Sequence, residues 1–164
     1  MTTVTGLPAH PLLVHAAVVL VPLAALLVLL HACVPAARAR LGLVTPVVAV
    51  LALGAAKLAE SAGESFEKVV RTRPGTDLVA LHRHAELGEA AVLWAAAVAV
   101  VGVAVWALHD PRLTGLHERL RVPDARWVRL VGAVAAVVVL VGGVYATVTA
   151  GHSGAALTWS SFRN

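Results

Sequence analysis

The hydrophobic positions of this chain fall into four long apolar stretches, and the short segments between them carry most of the charged residues. A helix needs roughly 17 to 25 mainly apolar residues to cross the hydrocarbon core of a bilayer. The pattern therefore predicts four transmembrane helices at about 11–32, 43–68, 80–108 and 126–151. We expect an all-α fold, a four-transmembrane-helix bundle, in which residues 1–164 form a single integral membrane domain.

The composition supports this membrane assignment. Of the 164 residues 59% are hydrophobic and only 13% are charged, whereas about a quarter of the residues of a soluble domain are charged. Mean hydropathy is +0.85. The single cysteine, Cys33, allows no intramolecular disulfide and no covalently attached c-type haem. An ordinary soluble domain is excluded.

The basic residues lie beside the apolar stretches, where they act as topology signals rather than as a nucleic-acid surface. No Lys or Arg precedes the first stretch, which therefore lacks the basic region of a signal peptide and is expected to be retained. Arg38 and Arg40 follow the first helix, and further arginines come shortly before the fourth. We expect a multi-pass protein of the cytoplasmic (inner) membrane, in contact with the lipid bilayer, with both termini extracytoplasmic.

Histidine and glutamate side chains concentrate at one end of the predicted bundle. All four helices contribute to this group, although its members lie far apart in the sequence. They are His10, His15, Glu60, Glu64, His82, His84, Glu86, Glu89 and His152. Ionisable groups close to the hydrocarbon are costly and usually functional, so the pattern predicts a site at the extracytoplasmic end.

Helical spacing arranges part of this group into stripes. Lys57, Glu60 and Glu64 are three and four residues apart and therefore share one face of the second helix. His82 and His84 project in nearly opposite directions on an ideal helix. One of these two histidines is expected to face the bundle, and the sequence leaves open which.

His15 and His152 are ligand candidates for different reasons. His15 lies five residues beyond His10, about 7.5 Å deeper at 1.5 Å per residue, so it is the costlier side chain to place and the stronger candidate. His152 is flanked by Gly151 and Gly154, whose small size lets another backbone or a flat ligand approach closely.

Several short motifs stand in order along the chain. They are GLPAHPLLVH at 6–15, Gly63-Glu64, His84 with Glu86, and GHSGA at 151–155 with Trp159. In these motifs the chain resembles the bacterial membrane proteins called domain of unknown function 2231, over nearly its whole length. The HPxxVH opening is the most specific part; many relatives follow its second His with Phe-Pro, whereas Ala16-Ala17 stands here. The resemblance implies the fold and brings no settled activity.

Haem b is the first of three interpretations of the polar cluster. Two histidines on different helices of a four-helix bundle can ligate the haem iron from opposite sides. His15 with His84 or His152 would be the axial pair, and Gly151 and Gly154 would make room for the macrocycle. The expected role is electron transfer in the membrane, with a redox or membrane-protein partner.

A non-haem transition-metal site is the second interpretation, in a protein that binds or senses the metal. Neutral imidazoles and carboxylates suit zinc, copper, iron or manganese. The candidate ligands are His10, His15, Glu60, Glu64, His84 and His152. The side chains expected to orient or tune these ligands are Lys57, Glu86 and Glu89.

A cofactor-free polar cap, in a structural or partner-binding membrane subunit, is the third interpretation. At the opposite end of the bundle, His31, His109 and His117 lie beside arginine-rich turns and are expected to be solvated. The sequence contains no P-loop, GxGxxG, GxSxG or HExxH motif, so enzymatic activity is not favoured and no nucleic-acid partner is expected. Transport and homo-oligomerisation stay open.

Overall fold

The structure, a computed structural model, describes residues 3–4, 7–119 and 126–159. A two-residue antiparallel ladder precedes the helices, and a 3₁₀ turn, Pro111–Leu113, follows the long helix that ends at His109. The elements are β1 (Thr3–Val4), β2 (Leu7–Pro8), α1 (Ala9–Cys33), α2 (Pro35–Leu41), α3 (Val44–Val70), α4 (Leu78–His109), α5 (Thr114–Arg119) and α6 (Arg126–Trp159).

Four of these helices, α1, α3, α4 and α6, are long and apolar enough to cross a membrane. Their most apolar 18-residue windows have mean hydropathies between 1.5 and 2.8. The expectation of an all-α, four-helix membrane bundle is confirmed. Only a fifth to a third of each window is buried inside the bundle, because the remaining apolar surface faces outward, where a bilayer would cover it.

Neighbouring helices follow the order α1, α3, α4, α6 and back to α1 around the bundle, and α1 and α4 also meet across its centre. The N-terminal parts of α1 and α4 carry His10 and His84, whose rings are in contact. Their C-terminal ends carry His31 and His109, which are also in contact. The helices α1 and α4 therefore run parallel, as an alternating up-and-down chain requires.

Small side chains fill the centre of the bundle. The fully buried alanines and valines of its core include Ala24, Ala52, Ala95, Val28 and Val98. In a bilayer the helices gain little from the hydrophobic effect, so close packing of small residues provides much of the attraction between them. This packing brings side chains of all four helices within reach of one another at the two ends.

Two polar side chains hold helix ends. Asp77 accepts hydrogen bonds from the backbone N–H groups of Val79 and Ala80, both at 3.0 Å, and so caps the first turn of α4. Arg38 donates from Nε to the carbonyl of His31 and from Nη2 to that of Ala32, both at 2.9 Å. These carbonyls lack helical partners at the end of α1, so Arg38 stabilises that end.

The helices are longer than the apolar stretches that predict them. The fourth was expected to end near residue 151, whereas α6 continues to Trp159, and α4 begins at Leu78 rather than at 80. Glycine costs a helix only about 1 kcal/mol relative to alanine, so contacts between helices can outweigh it. The polar group around His152 is consequently helical, which fixes the direction of each of its side chains.

Candidate functional site

His10, in the first turn of α1, joins that helix to α3. Its Nδ1–H donates to the backbone carbonyl of Ala59 at 2.8 Å. Its ring stacks on that of Phe66, with centroids 6.3 Å apart and an interplanar angle of 19°. Because a carbonyl only accepts, the Nδ1 atom carries the proton and Nε2 of a neutral ring keeps its lone pair.

His84, two turns into α4, joins that helix to α6. Its Nδ1 lies 2.8 Å from the hydroxyl oxygen of Ser153. The hydroxyl donates its single hydrogen to the Ala150 carbonyl, also at 2.8 Å. Its oxygen therefore accepts from the Nδ1–H of His84. The network thus assigns to His84 the same tautomer as to His10, with a lone pair on Nε2.

The rings of His10 and His84 are in contact with each other, between the α1–α3 pair and the α4–α6 pair. Their centroids are 6.2 Å apart and their planes are inclined by 77°, so the contact is edge to face. The hydrogen bonds of the two rings run through Nδ1, and the Ala150 backbone carbonyl is a further acceptor beside the His84 ring. Two imidazoles from two different helices are therefore in contact, each held by an acceptor of a neighbouring helix.

Two glycines make room for these rings. A Cβ atom on Gly63 of α3 would lie 2.9 Å from Cε1 of His10, and one on Gly154 of α6 would lie 2.9 Å from Cε1 of His84. Contacts that short force a neighbouring atom to shift. The rings can occupy their positions because glycine stands at both places.

A cavity of about 90 Å³ lies next to the histidine pair. Small and apolar residues make up most of its wall, to which all four long helices contribute. The residues that line it are His10, Val14, Ala17, Val18, Val21, Ala56, Ala59, Glu60, His84, Gly88, Ala91, Val92, Thr147, Ala150 and Gly151. Since a water molecule needs roughly 10–15 Å³ by this kind of measure, the space accommodates a few waters or a hydrated ion.

Glu60 is the one acidic residue among those that line this cavity. Its side chain is paired with the ammonium group of Lys57, one turn earlier on α3. The Lys57 side chain is exposed and that of Glu60 is mostly buried, so water competes for the ammonium group and weakens its hold on the carboxylate. Glu60 can therefore exchange Lys57 for a stronger cationic partner.

The other histidines proposed as ligands lie away from this pair. His15 is exposed, and its Nδ1–H donates to the Pro11 carbonyl of its own helix at 2.5 Å. His152 is exposed on α6 and, unlike His84, does not line the cavity. The pairing of His15 with His84 or His152 is thus not assembled in the described fold, whereas His10 lies against His84.

The remaining acidic candidates are at the surface. Glu64 and Glu89 are exposed, and the Glu86 carboxylate lies 3.4 Å from Nε2 of exposed His82 on the same helix. The question that the sequence left open is resolved, since His84 faces the bundle and His82 does not. Among the described residues, no three His, Cys, Asp or Glu side chains are grouped to hold a metal ion as they stand.

Sequence reasoning favoured His15 over His10 because it considered depth alone. Five residues along a helix correspond to a rotation of about 140°, so the two side chains cannot face the same neighbour. Sequence reasoning also missed Phe66 and the hydroxyl of Ser153 as partners of the rings. The Gly63-Glu64 and GHSGA motifs were the only signals that pointed near them.

Comparison of the chain with protein-family models, with curated proteins and with solved structures gave no match. The functional argument therefore rests on the geometry of the site.

Proposed function

We propose that this chain is a multi-pass membrane protein that binds a transition-metal ion between His10 and His84. One observation carries the proposal: two imidazoles from different helices meet, and each donates from Nδ1 to a protein acceptor, the tautomer that has its lone pair on Nε2. Metal-ligating histidines almost always donate their other ring N–H to such an acceptor, since this fixes tautomer and orientation.

The chemistry of the donors suits an imidazole-binding metal. Metal–nitrogen distances are about 2.0–2.1 Å, so two rings 6.2 Å apart are near enough to share an ion once the edge-to-face contact turns to aim both Nε2 atoms at one point. Glu60 would supply a third ligand by leaving Lys57, and water would complete the set. Imidazole with carboxylate fits zinc, copper or iron.

Haem b remains the second candidate, because small residues of four helices line the space beside the rings, among them Gly88, Ala91, Ala150 and Gly151. Haem would supply one-electron redox chemistry, and the protein would then serve electron transfer in the membrane. His10 and His84 would hold its iron. The macrocycle is much larger than a cavity of about 90 Å³, so the helices would have to separate to admit it. A small ion requires no such movement.

A cofactor-free role is supported by the same hydrogen bonds. His10 ties α1 to α3 and His84 ties α4 to α6, and polar contacts of this kind hold helices together in membranes. This alternative uses only the Nδ1 hydrogen bonds of the two rings, whereas the metal hypothesis also uses their Nε2 atoms.

The proposal includes a cellular setting. The arginines that follow the first helix and precede the fourth favour the cytoplasmic membrane with the His10 and His84 end outside. Membership of the family called domain of unknown function 2231 is part of the same proposal, and it rests on the HPxxVH and GHSGA motifs.

The test is one purification with two measurements. The protein is expressed with haem supply and purified in mild detergent, and its visible spectrum and its content of iron, copper and zinc are determined. We expect close to one metal equivalent that His10→Ala and His84→Ala each remove, whereas the control His82→Ala, on the same helix as His84 but exposed, retains it.

The spectrum then separates the candidates. Metal without a Soret band supports the ion site, and a Soret band that shifts on reduction by dithionite supports haem b. If neither metal nor haem is bound, and His10→Ala and His84→Ala lower only the thermal stability, the metal proposal is wrong and the histidines are helix tethers.

A further inference from the structure

The arginine-rich end of the bundle has buried polar side chains in its interior. His31, in the last turn of α1, is only 2% exposed, so the expectation that it is solvated is wrong. Its Nδ1 accepts a hydrogen bond of 3.0 Å from the hydroxyl of Thr45, on α3, and its ring contacts that of His109, on α4. The arginines of this end lie around that interior, half-buried or exposed, and they carry its positive charge.

Arg38, on the short helix α2, is held in a fixed direction. Its guanidinium donates from Nε to the carbonyl of His31 and from Nη2 to that of Ala32, both at 2.9 Å. A guanidinium has five N–H groups, so three remain after these two bonds. Backbone carbonyls carry only partial negative charge, and among the described residues no carboxylate pairs with Arg38. Arg38 therefore keeps a full positive charge and three donors for another partner.

A second guanidinium lies close to that of Arg38. Arg129 stands in the first turn of α6, which begins at the end of the bundle where α1 stops. Burial lowers the pKa of Arg38, and the charge of Arg129 lowers it further. Two like charges near each other raise the energy of the fold. An anion bound by both arginines would remove that cost.

The cations at the opposite end of the bundle are next to carboxylates. Arg71, for example, lies 3.6 Å from the carboxylate of Glu67. At the arginine-rich end, by contrast, the carboxylate of Asp110 accepts from the backbone of the turn that follows α4. No carboxylate in the described part of the chain thus neutralises Arg38, and an anionic ligand could do so.

We infer that Arg38 and Arg129 bind the phosphate group of an anionic phospholipid. The planar guanidinium matches two phosphate oxygens at once, and basic pockets between transmembrane helices suit lipid head groups for this reason. Exposed apolar side chains near the two arginines, Val34 before α2 and Leu130 on α6, would contact the acyl chains. The site is independent of the proposed metal centre.

The level of the two arginines along the bundle favours a lipid over a soluble phosphate. The 21 residues from His10 to His31 correspond to about 32 Å at 1.5 Å per residue, close to the hydrocarbon thickness of about 30 Å. Arg38, seven residues beyond His31, thus lies at the level of the head groups. Trp127, just before Arg129, is 73% exposed, and tryptophan is enriched at the membrane–water interface. A phosphate bound at this level is that of a lipid whose chains enter the bilayer.

The experiment compares two lipids with identical acyl chains. The protein is purified in mild detergent and mixed with phosphatidylglycerol or with zwitterionic phosphatidylcholine, and the bound lipid is counted by native mass spectrometry. We expect one equivalent of phosphatidylglycerol and much weaker binding of phosphatidylcholine. Arg129→Gln should weaken the binding of phosphatidylglycerol by about fivefold, the contribution expected of one arginine near an anionic lipid.

Arg73→Gln is the control, because it removes the same charge from an exposed position at the other end of the bundle. A soluble competitor identifies the source of the phosphate: excess glycerol 3-phosphate should leave the bound phosphatidylglycerol in place, because it has no acyl chains. Arg129→Gln is preferred to a change at Arg38, whose bonds to the end of α1 it leaves intact.

Three results would each overturn the proposal. They are equal binding of the two lipids by the unmodified protein, equal binding of phosphatidylglycerol by Arg129→Gln and Arg73→Gln, and displacement of the lipid by glycerol 3-phosphate. The comparison of the two lipids needs no substitution, so it decides the question even where a variant fails to fold. Metal content enters none of these measurements, so the His10 and His84 centre is tested separately.

Discussion

The imidazole of His84, on α4, donates a hydrogen bond of 2.8 Å to the hydroxyl oxygen of Ser153, on α6. The same hydroxyl donates a hydrogen bond to the Ala150 carbonyl. The orientation and tautomer of His84 are therefore determined by a different helix, α6. For the proposed metal site this means that His84 is preorganised, because little freedom of the ring would remain to be lost on binding.

Replacing Ser153 by Ala should weaken metal binding at the His10 and His84 centre by about 10- to 100-fold, the usual effect of removing a partner of a ligating histidine. The cause is the loss of the acceptor for the Nδ1–H of His84. Titration of the detergent-purified protein with Cu²⁺ measures the change. Ser65→Ala is the control, because the Ser65 hydroxyl donates within its own helix; equal affinities for the two variants would contradict the proposed role of Ser153.

Gly154→Ala should also weaken the site, whereas Gly132→Ala, on the same helix but outside the cavity wall, should have much less effect. A Cβ at position 154 would lie 2.9 Å from Cε1 of His84, and a Cβ at 132 would meet only Val105 at 3.8 Å. The ring must turn away from the new methyl group at 154, which strains its bond to Ser153. The same Cu²⁺ titration compares both variants, and an equal or stronger loss in Gly132→Ala would show that the ring position does not control affinity.

The close contact between α4 and α6 near the middle of the bundle should be sensitive to one methyl group. The ring of Trp94 lies directly against Gly142, so that a Cβ there would overlap it. We expect Gly142→Ala to destabilise the protein by about 1–3 kcal/mol, the usual cost of overpacking. Thermal unfolding in detergent measures it. In the control Gly132→Ala the new Cβ meets only Val105 at 3.8 Å, and unchanged or higher stability is expected; equal unfolding temperatures would contradict the packing argument.

The orientation can be tested with two threonines at opposite ends of the bundle. Thr72 follows α3 and Thr114 begins α5, and both are exposed. In a Cys33→Ser background, a membrane-impermeant thiol reagent should label Thr72→Cys on intact cells and Thr114→Cys only after lysis, because the arginine-rich connections are expected to stay inside. The reverse pattern of labelling would put the His10 and His84 centre in the cytoplasm.

The number and class of the helices follow from the sequence because hydropathy is a local property. Each apolar stretch must be helical to satisfy its backbone in a bilayer, whatever the neighbouring helices do. The helix ends were less accurate. The turn around His152 was expected to follow the fourth helix, but the structure continues α6 to Trp159, since contacts with other helices compensate for its glycines.

For the histidines too, the sequence predicts some properties and the tertiary structure decides the others. The sequence gives the depth of each one along its helix, and it correctly gathers His10 and His84 at one end of the bundle. It does not give the rotation of one helix relative to another, and that rotation turns His15 outward and His31 inward.

The number of long helices, and the depth of each histidine and the end of the bundle where it lies, are therefore properties of the sequence alone, because rise per residue and hydropathy determine them. Which side chains meet, His10 with His84 and His31 with His109, is decided only by the tertiary structure. The reason is physical: close packing of small residues between helices sets their rotation, and no single helix contains that information.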